Sequence, residues 1–341
     1  MTTELSPARI MEVGVGFWAS RTLLSAVEVG LFTLLAKGAL SGEEMVERLG
    51  LHPRAVPDFP DALLALGFLE RDGDGPSARY RNTPETARFL DRGSADYIGG
   101  ILEMMAARLY AFWANLTEAL HSGEPQNEIK ATGEPMFAKL YEDPKRLEQF
   151  LSAMEGASAA NFRALAHRFD FSRYRTLCDV GGASGQLSRL VAEANPHLRC
   201  ISFDLPEVSA IAERKNAAAG LAGRIETRSG DFFFDPLPKA DVVTMGMILH
   251  DWNLEKKREL IAKAYEALPP GGAFIAIEAL IDDARRKNAF GLLMSLNMLI
   301  EFGDAFDYTA ADFIGWCREA GFQRFEVIPL AGNSSAAVAY R

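Results

Sequence analysis

Apolar residues recur along this chain with two different periods, and the change falls near its middle. Over residues 10–35, Phe17, Trp18, Leu23, Leu24, Val27, Leu31, Leu34 and Leu35 lie at helical spacing and predict amphipathic helix. Ser41 followed by Glu44 offers a capping box, in which hydroxyl and carboxylate satisfy two free amides, and the helix it opens should stop near Gly50. Pro53 and Pro57 break the chain after it, and residues 59–69 predict another short helix. Turn residues from Glu70 to Pro76 then separate two short strand candidates at 67–70 and 78–81. Helices followed by a hairpin, with Thr83-Pro84 behind it, have the order of a winged helix-turn-helix. Residues 97–169 are helical again and carry Met104, Met105, Tyr110, Phe112, Trp113, Met136, Phe137, Phe150, Met154 and Phe162. Such a stripe is ordinarily core or interface.

After Arg175 the period shortens. Residues 176–180, 198–203, 240–245 and 273–277 are short β-rich apolar runs, separated by helical segments at 186–194, 208–218 and 254–268. Alternation of strand and helix predicts a doubly wound α/β sheet covered on both faces. Residues 325–329 and 335–340 add two further strand candidates. Domains are expected at 1–100, a helical linker at 101–160, and an α/β domain at 161–341.

Charge narrows the partners. The chain holds 36 Lys and Arg against 46 Asp and Glu, a net of −10. Residues 1–100 alone hold 10 basic against 14 acidic side chains, a net of −4, whereas a DNA-reading winged helix should be basic on one face. The winged module therefore reads as a packing module, and nucleic acid is not an expected partner. Cys178, Cys200 and Cys317 are far apart, which is neither a disulfide framework nor a zinc site and fits a reducing cytoplasm. Neither a basic leader nor an apolar run of membrane length is seen, so no membrane association is expected.

The first strand of the second half runs into Asp179-Val-Gly-Gly-Ala-Ser-Gly185 and then a helix. Glycines at such a strand end let a ligand approach the backbone. The dinucleotide pattern GxGxxG fails, because residue 183 is Ala and residue 186 is Gln, and no GxxxxGK[ST] phosphate cradle is present. Acidic positions do recur at the strand ends. Asp204 lies 25 residues after Asp179, where a carboxylate suits the ribose hydroxyls of an adenosine. Asp231 suits the adenine amino group, with Phe232 beside it for stacking. A sulfonium ligand without phosphates needs no basic cradle, and the loop supplies none.

Here the sequence resembles the class I S-adenosylmethionine-dependent methyltransferases, and within them the plant-type small-molecule O-methyltransferases and their bacterial relatives. The resemblance rests on six motifs in order: the Asp179–Gly185 loop, Phe203-Asp-Leu-Pro206, Gly230-Asp-Phe-Phe233, Ile248-Leu-His-Asp-Trp252, Pro269-Pro-Gly-Gly272 and Leu296-Asn-Met-Leu299. It implies a Rossmann-like catalytic sheet behind a mainly helical winged-helix dimerisation domain. It also implies S-adenosylmethionine as cofactor, held by Asp179, Gly181, Gly182, Gly185, Asp204, Leu205, Asp231 and Phe232. His250 takes the place of the family's general base, with Glu278 and Asp307 as orienting carboxylates, and no metal is expected. Phe150, Met154, Met294, Asn297 and Met298 match positions lining the acceptor pocket, and Trp18 and Arg21 those that reach the pocket of a partner subunit in a homodimer. Three positions depart from the family pattern: Ala183 replaces a glycine, Gly246 a basic residue near the cofactor carboxylate, and Asp307 a glutamate. Asp251 suits a helix entry equally well.

The expected function is transfer of a methyl group to a hydroxyl of a small, aromatic metabolite in the cytoplasm. Imidazole, which titrates near neutrality, suits removal of the hydroxyl proton. A thioether acid such as 4-methylthio-2-hydroxybutyrate, or an amine, would need no base and stands as an alternative acceptor. A winged-helix regulator that senses a ligand through the same fold is the alternative from another class, and a nicotinamide dehydrogenase is disfavoured by the failed fingerprint.

Overall fold

The computed structural model describes residues 5–133, 140–141 and 143–341, the side chains of Ala131 and Thr132 excepted. Met136 and Phe137 lie outside the described residues. The chain divides into two compact units, Met1–Ala111 and Phe112–Arg341.

In the first unit, the helical stretch expected over 10–35 is three helices, Ala8–Gly14, Gly16–Glu28 and Leu31–Leu35. The second break falls at Gly30, whose φ of +75° turns the chain in a way that only glycine adopts readily. The capping box forms as expected: Ser41 Oγ accepts the Glu44 N–H, Glu44 Oε2 accepts the Ser41 N–H, and Gly50 ends the helix Gly42–Leu49. Strands β1 (Leu40–Ser41), β2 (Leu69–Asp72) and β3 (Arg79–Asn82) form a small antiparallel sheet in the order β1-β3-β2. The helix before the hairpin, Asp58–Ala65, is shorter than expected, because Gly67 turns the chain directly into β2. Leu31, Phe32, Met45, Leu63 and Tyr80 fill the core of this unit.

The second unit is built on seven strands: β4 (Thr176–Val180), β5 (Arg199–Asp204), β6 (Ile225–Ser229), β7 (Val242–Gly246), β8 (Ala273–Glu278), β9 (Arg324–Pro329) and β10 (Ser335–Tyr340). Their order is β6-β5-β4-β7-β8-β10-β9. Strands β4 to β8 pair in parallel, and β10 runs antiparallel to both of its neighbours. Strand β6 escapes the hydrophobic pattern because Ile-Glu-Thr-Arg-Ser buries only its first residue fully at the sheet edge. Period-2 alternation divides the sheet between two cores. Cys178, Val243, Phe274 and Ala276 face the helices Leu254–Ala267 and Ala310–Ala320, while Leu177, Val242, Ala273 and Ile275 face Gln186–Ala194 and the end of Pro144–Arg168. This is the doubly wound arrangement expected from sequence. Its connections reverse between β4 and β7, which opens a crevice at their carboxyl ends.

Candidate active site

Two groups of residues meet at those carboxyl ends. The first is the loop after β4. Gly181 and Gly185 have φ of +67° and +79°, and Gly181 and Gly182 donate their N–H groups to the Phe203 carbonyl at 2.9 and 3.2 Å. A Cβ on Gly181 would stand 2.3 Å from Ile248 Cδ1, and one on Gly182 would stand 2.5 Å from Ser202 Oγ, so both positions demand glycine. Ala183 keeps a left-handed φ of +47° despite its Cβ, a strained conformation of the kind found at ligand sites. Asp204 ends β5 and closes on the loop, accepting the Ala183 N–H at 2.8 Å and the Leu205 N–H at 2.7 Å. Burial lifts its carboxyl to about 6 in spite of these two donors. Asp231 accepts the Phe233 N–H at 2.8 Å, and Phe232 stands edge-on to Trp252 beside Gly181. Asp179 lies beneath the loop, 3% exposed, and accepts a hydrogen bond from Thr244 Oγ1 at 2.8 Å. Burial pushes it up to about 7, with Asp204 adding to the shift and Thr244 opposing it.

The loop is pinned from its other side by residues that no motif marks. Ser184 Oγ donates to Glu155, on the helix Pro144–Arg168, and Glu155 pairs with Arg189 at 2.6 Å and Lys215 at 2.5 Å. Burial opposes ionisation of Glu155, but these partners outweigh it and hold the carboxyl below its usual range. The cations nearest the loop are thereby committed to an internal network. Tyr141 is likewise unmarked in the sequence. It packs with Phe150, Ala183 and Leu205 around the Leu147–Leu151 core. Burial and then the fields of Asp204, Asp251, Glu207 and Asp231 push its hydroxyl well above the usual range.

The second group follows β7 and β8. His250 sits in a short turn, Leu249–Asp251, after Met247, another residue with left-handed φ (+55°). Its ring is buried at 4% exposure, with Nδ1 3.4 Å from Asp307 Oδ1 and 3.8 Å from Glu278 Oε2. Glu278 Oε1 also accepts the His250 backbone N–H at 3.4 Å. On the other edge, Nε2 lies 3.3 Å from Asp251 Oδ1. Asp251 does not cap the following helix, since Asn253 does, its side chain accepting the Lys256 N–H. Burial disfavours the imidazolium, yet Glu278, Asp251 and Asp307 together outweigh it and hold His250 well above the ordinary histidine range. Burial likewise raises Glu278 and Asp251, against the opposing pull of His250.

The remaining candidates are more dispersed. Phe150 and Met154 share one helix face, and Met294, Asn297 and Met298 share the helix Ala289–Phe302. Asn297 Oδ1 accepts from Trp113 Nε1 at 2.9 Å, Met298 is 5% exposed, and Ser295 Oγ of the same helix accepts the Asp307 N–H at 3.2 Å. Gly246 faces Phe162, whose ring would stand 3.1 Å from an added Cβ, so an aromatic ring fills the space a longer side chain would need. Trp18 and Arg21 belong to the first unit. There Trp18 is 63% exposed, and Arg21 pairs with Glu28 at 2.9 Å with its guanidinium over the Tyr110 ring.

A glycine loop free of basic side chains, carboxylates at successive strand ends and a histidine among carboxylates define an S-adenosylmethionine-dependent methyltransferase. Residues 113–323 match the O-methyltransferase domain and residues 11–92 the O-methyltransferase dimerisation domain, and the chain belongs to that family. The tetracenomycin polyketide synthesis 8-O-methyl transferase TcmO of Streptomyces glaucescens is 40% identical, over 97% of this chain and 96% of its own length. The N,N-dimethyltransferase OxyT of Streptomyces rimosus is 39% identical, over 94% of this chain and 93% of its own. The crystal structure of human N-acetylserotonin methyltransferase in complex with SAM superposes with a TM-score of 0.90 at 28% identity, over 100% of this chain and 99% of its own.

S-adenosylmethionine is the cofactor, and this chain's own geometry fits it. The loop from Asp179 to Gly185 carries no basic side chain, and the buried acidic residues around it favour a cationic ligand over a phosphorylated one. The chain is a small-molecule methyltransferase.

Proposed function

We propose that the chain methylates a phenolic hydroxyl of a small aromatic metabolite, with His250 accepting the hydroxyl proton. The observation that carries this reading is the buried His250 ring, whose Nδ1 faces two carboxylates, Asp307 and Glu278, at 3.4 and 3.8 Å. Those carboxylates fix the ring and stabilise its protonated form, which leaves Nε2 to receive the proton. Asp251 beside Nε2 stabilises the imidazolium further. When bound, the cofactor supplies a methyl group on a positively charged sulfur. Asp204 would hold its ribose, Asp231 and Phe232 its adenine, and the glycine loop its remaining backbone contacts. Asp179 supports that loop from below. Phe150, Met154, Met294, Asn297 and Met298 would line the acceptor pocket. An aromatic ring suits such a lining, and the similarity to TcmO, an O-methyl transferase of polyketide synthesis, favours a hydroxyl acceptor.

We also propose a homodimer formed through the first unit. Its dimerisation-domain match and the exposed side chains of Ile10, Val13, Phe17 and Trp18 support this. Trp18 and Arg21 would then face the second copy. The net charge of −10, and the absence among the described residues of any helix long and apolar enough to cross a membrane, support a cytoplasmic enzyme without nucleic-acid partners.

An amine acceptor is a second reading, favoured by the similarity to OxyT and by carboxylates that keep His250 protonated. His250→Gln separates the two. Loss of kcat by about 10²-fold or more toward phenols is expected, whereas unchanged turnover would overturn the role of His250.

A further inference from the structure

Lys257 is a buried cation that neither the fold nor the motifs account for. It lies on the helix Leu254–Ala267, on a buried stripe otherwise made of Leu260, Ile261, Ala264 and Ala267. Its exposure is 0%, and lysine is almost never fully buried unless its charge is compensated. Among the described residues it makes no ion pair. Instead Nζ donates to the Trp252 carbonyl, and it stands 3.8 Å from the centroid of the Phe306 ring and 5.8 Å from that of Tyr308. Trp252 follows His250 by two residues, and Phe306 and Tyr308 flank Asp307. A single ammonium therefore ties the turn that carries the histidine to the segment that carries its nearer Nδ1 partner.

Resting on the reading of His250 as proton acceptor, we propose that Lys257 is a positioning residue for methyl transfer. Its ammonium, seated between the Trp252 carbonyl and the Phe306 ring, fixes His250 against Asp307 and balances the carboxylates of Asp251, Glu278 and Asp307. The charges around the site come from every element packed on it: Glu278 from β8, Asp307 and Asp304 from the segment before the helix Ala310–Ala320, Asp251 from the histidine turn, and Glu301 from the helix Ala289–Phe302. Burial draws Lys257 down to about 8, while Glu278, Asp307, Asp251 and Asp304 favour its charge, so it is cationic at neutral pH. Without that cation the imidazole alone faces three carboxylates. It then holds its proton more tightly and loses its fixed place beside Asp307.

The test follows the His250 ring directly, by nitrogen-15 NMR titration of histidine-labelled full-length protein, with His250→Gln assigning the signal. Lys257→Met, which keeps length and apolar contact, is expected to raise the His250 titration midpoint by about one pH unit. Lys257→Arg should leave it within a few tenths of a unit of wild type. With S-adenosylmethionine and 2-naphthol, Lys257→Met is expected to lower kcat about tenfold or more while KM for the cofactor changes less than about twofold. An unchanged midpoint in a folded Lys257→Met protein overturns the proposal. If Lys257→Met does not fold, Lys257→Gln, which removes the charge but keeps a donor for the Trp252 carbonyl, decides: the same upward shift upholds the role, and an unmoved midpoint refutes it. Full turnover by His250→Gln would instead overturn the proton-acceptor reading, while the titration still reports whether Lys257 and His250 are coupled.

Discussion

Replacement of Asp179 by asparagine tests whether the buried carboxylate beneath the glycine loop carries a desolvation cost. Asp179 is 3% exposed, and among the described residues its side chain accepts one hydrogen bond, from Thr244 at 2.8 Å. Its carboxyl rises from the ordinary 3.8 to about 7, with burial the largest cause. The folded protein therefore binds this proton more tightly than the unfolded chain. Asp179 thus contributes its full stabilisation below about pH 4 and loses it as pH rises through about 7. Three pH units correspond to about 4 kcal/mol, as an upper bound. Asparagine has the same shape, accepts the Thr244 hydrogen bond and has no such pH dependence. In the absence of cofactor, the melting temperature of Asp179→Asn relative to wild type should climb steadily between pH 4 and pH 8. The gain over that window should be at most about 8–16 °C for a unit of this size. Added S-adenosylmethionine, a cation, should close the gap by stabilising wild type more than the variant. A melting difference that stays flat with pH would show that Asp179 is not buried as a costly charge.

The same site yields two further outcomes. Because carboxylates hold His250 protonated at neutral pH, the base form grows as pH rises, so kcat/KM toward a phenolic acceptor should still be increasing above pH 7; a plateau reached below pH 7 would contradict this. Gly181→Ala places a Cβ in a left-handed conformation 2.3 Å from Ile248 Cδ1, so cofactor affinity measured by calorimetry should fall about tenfold, the equivalent of the 1–2 kcal/mol such a conformation costs. Gly223→Ala, with no atom within 4 Å of its added Cβ, should bind as wild type does, and equal affinities in the two variants would refute the dependence of cofactor binding on the shape of the Gly181 loop.

Much of this architecture is written in local pattern. The 41–44 capping box, the strand–loop–helix around Asp179 and the alternation from β4 to β8 depend on short-range periodicity, which survives in any reading of the chain. Strand β6 was invisible because an edge strand with charged residues carries no apolar alternation. Lys257 did leave a signal, a lysine on the buried stripe of an amphipathic helix, but such a position gains meaning only once its neighbours are known. Tyr141 and Glu155 left none, since each acts through residues remote in sequence.

The sequence by itself determined the alternation of strands and helices apart from the edge strand β6, the loop with its glycines and, through the family resemblance, a histidine with two distant carboxylates. Only the tertiary structure decided how those three residues meet. Asp307, shorter than the glutamate of the family pattern, comes nearer His250 Nδ1 than Glu278 does, and its backbone N–H donates to Ser295 Oγ. Tertiary structure also decided that Asp251 joins the cluster and that Lys257 stands behind it. The reason is electrostatic: charges act through space in a buried, weakly screened interior, so their partners are set by where the chain folds back on itself and not by spacing along it.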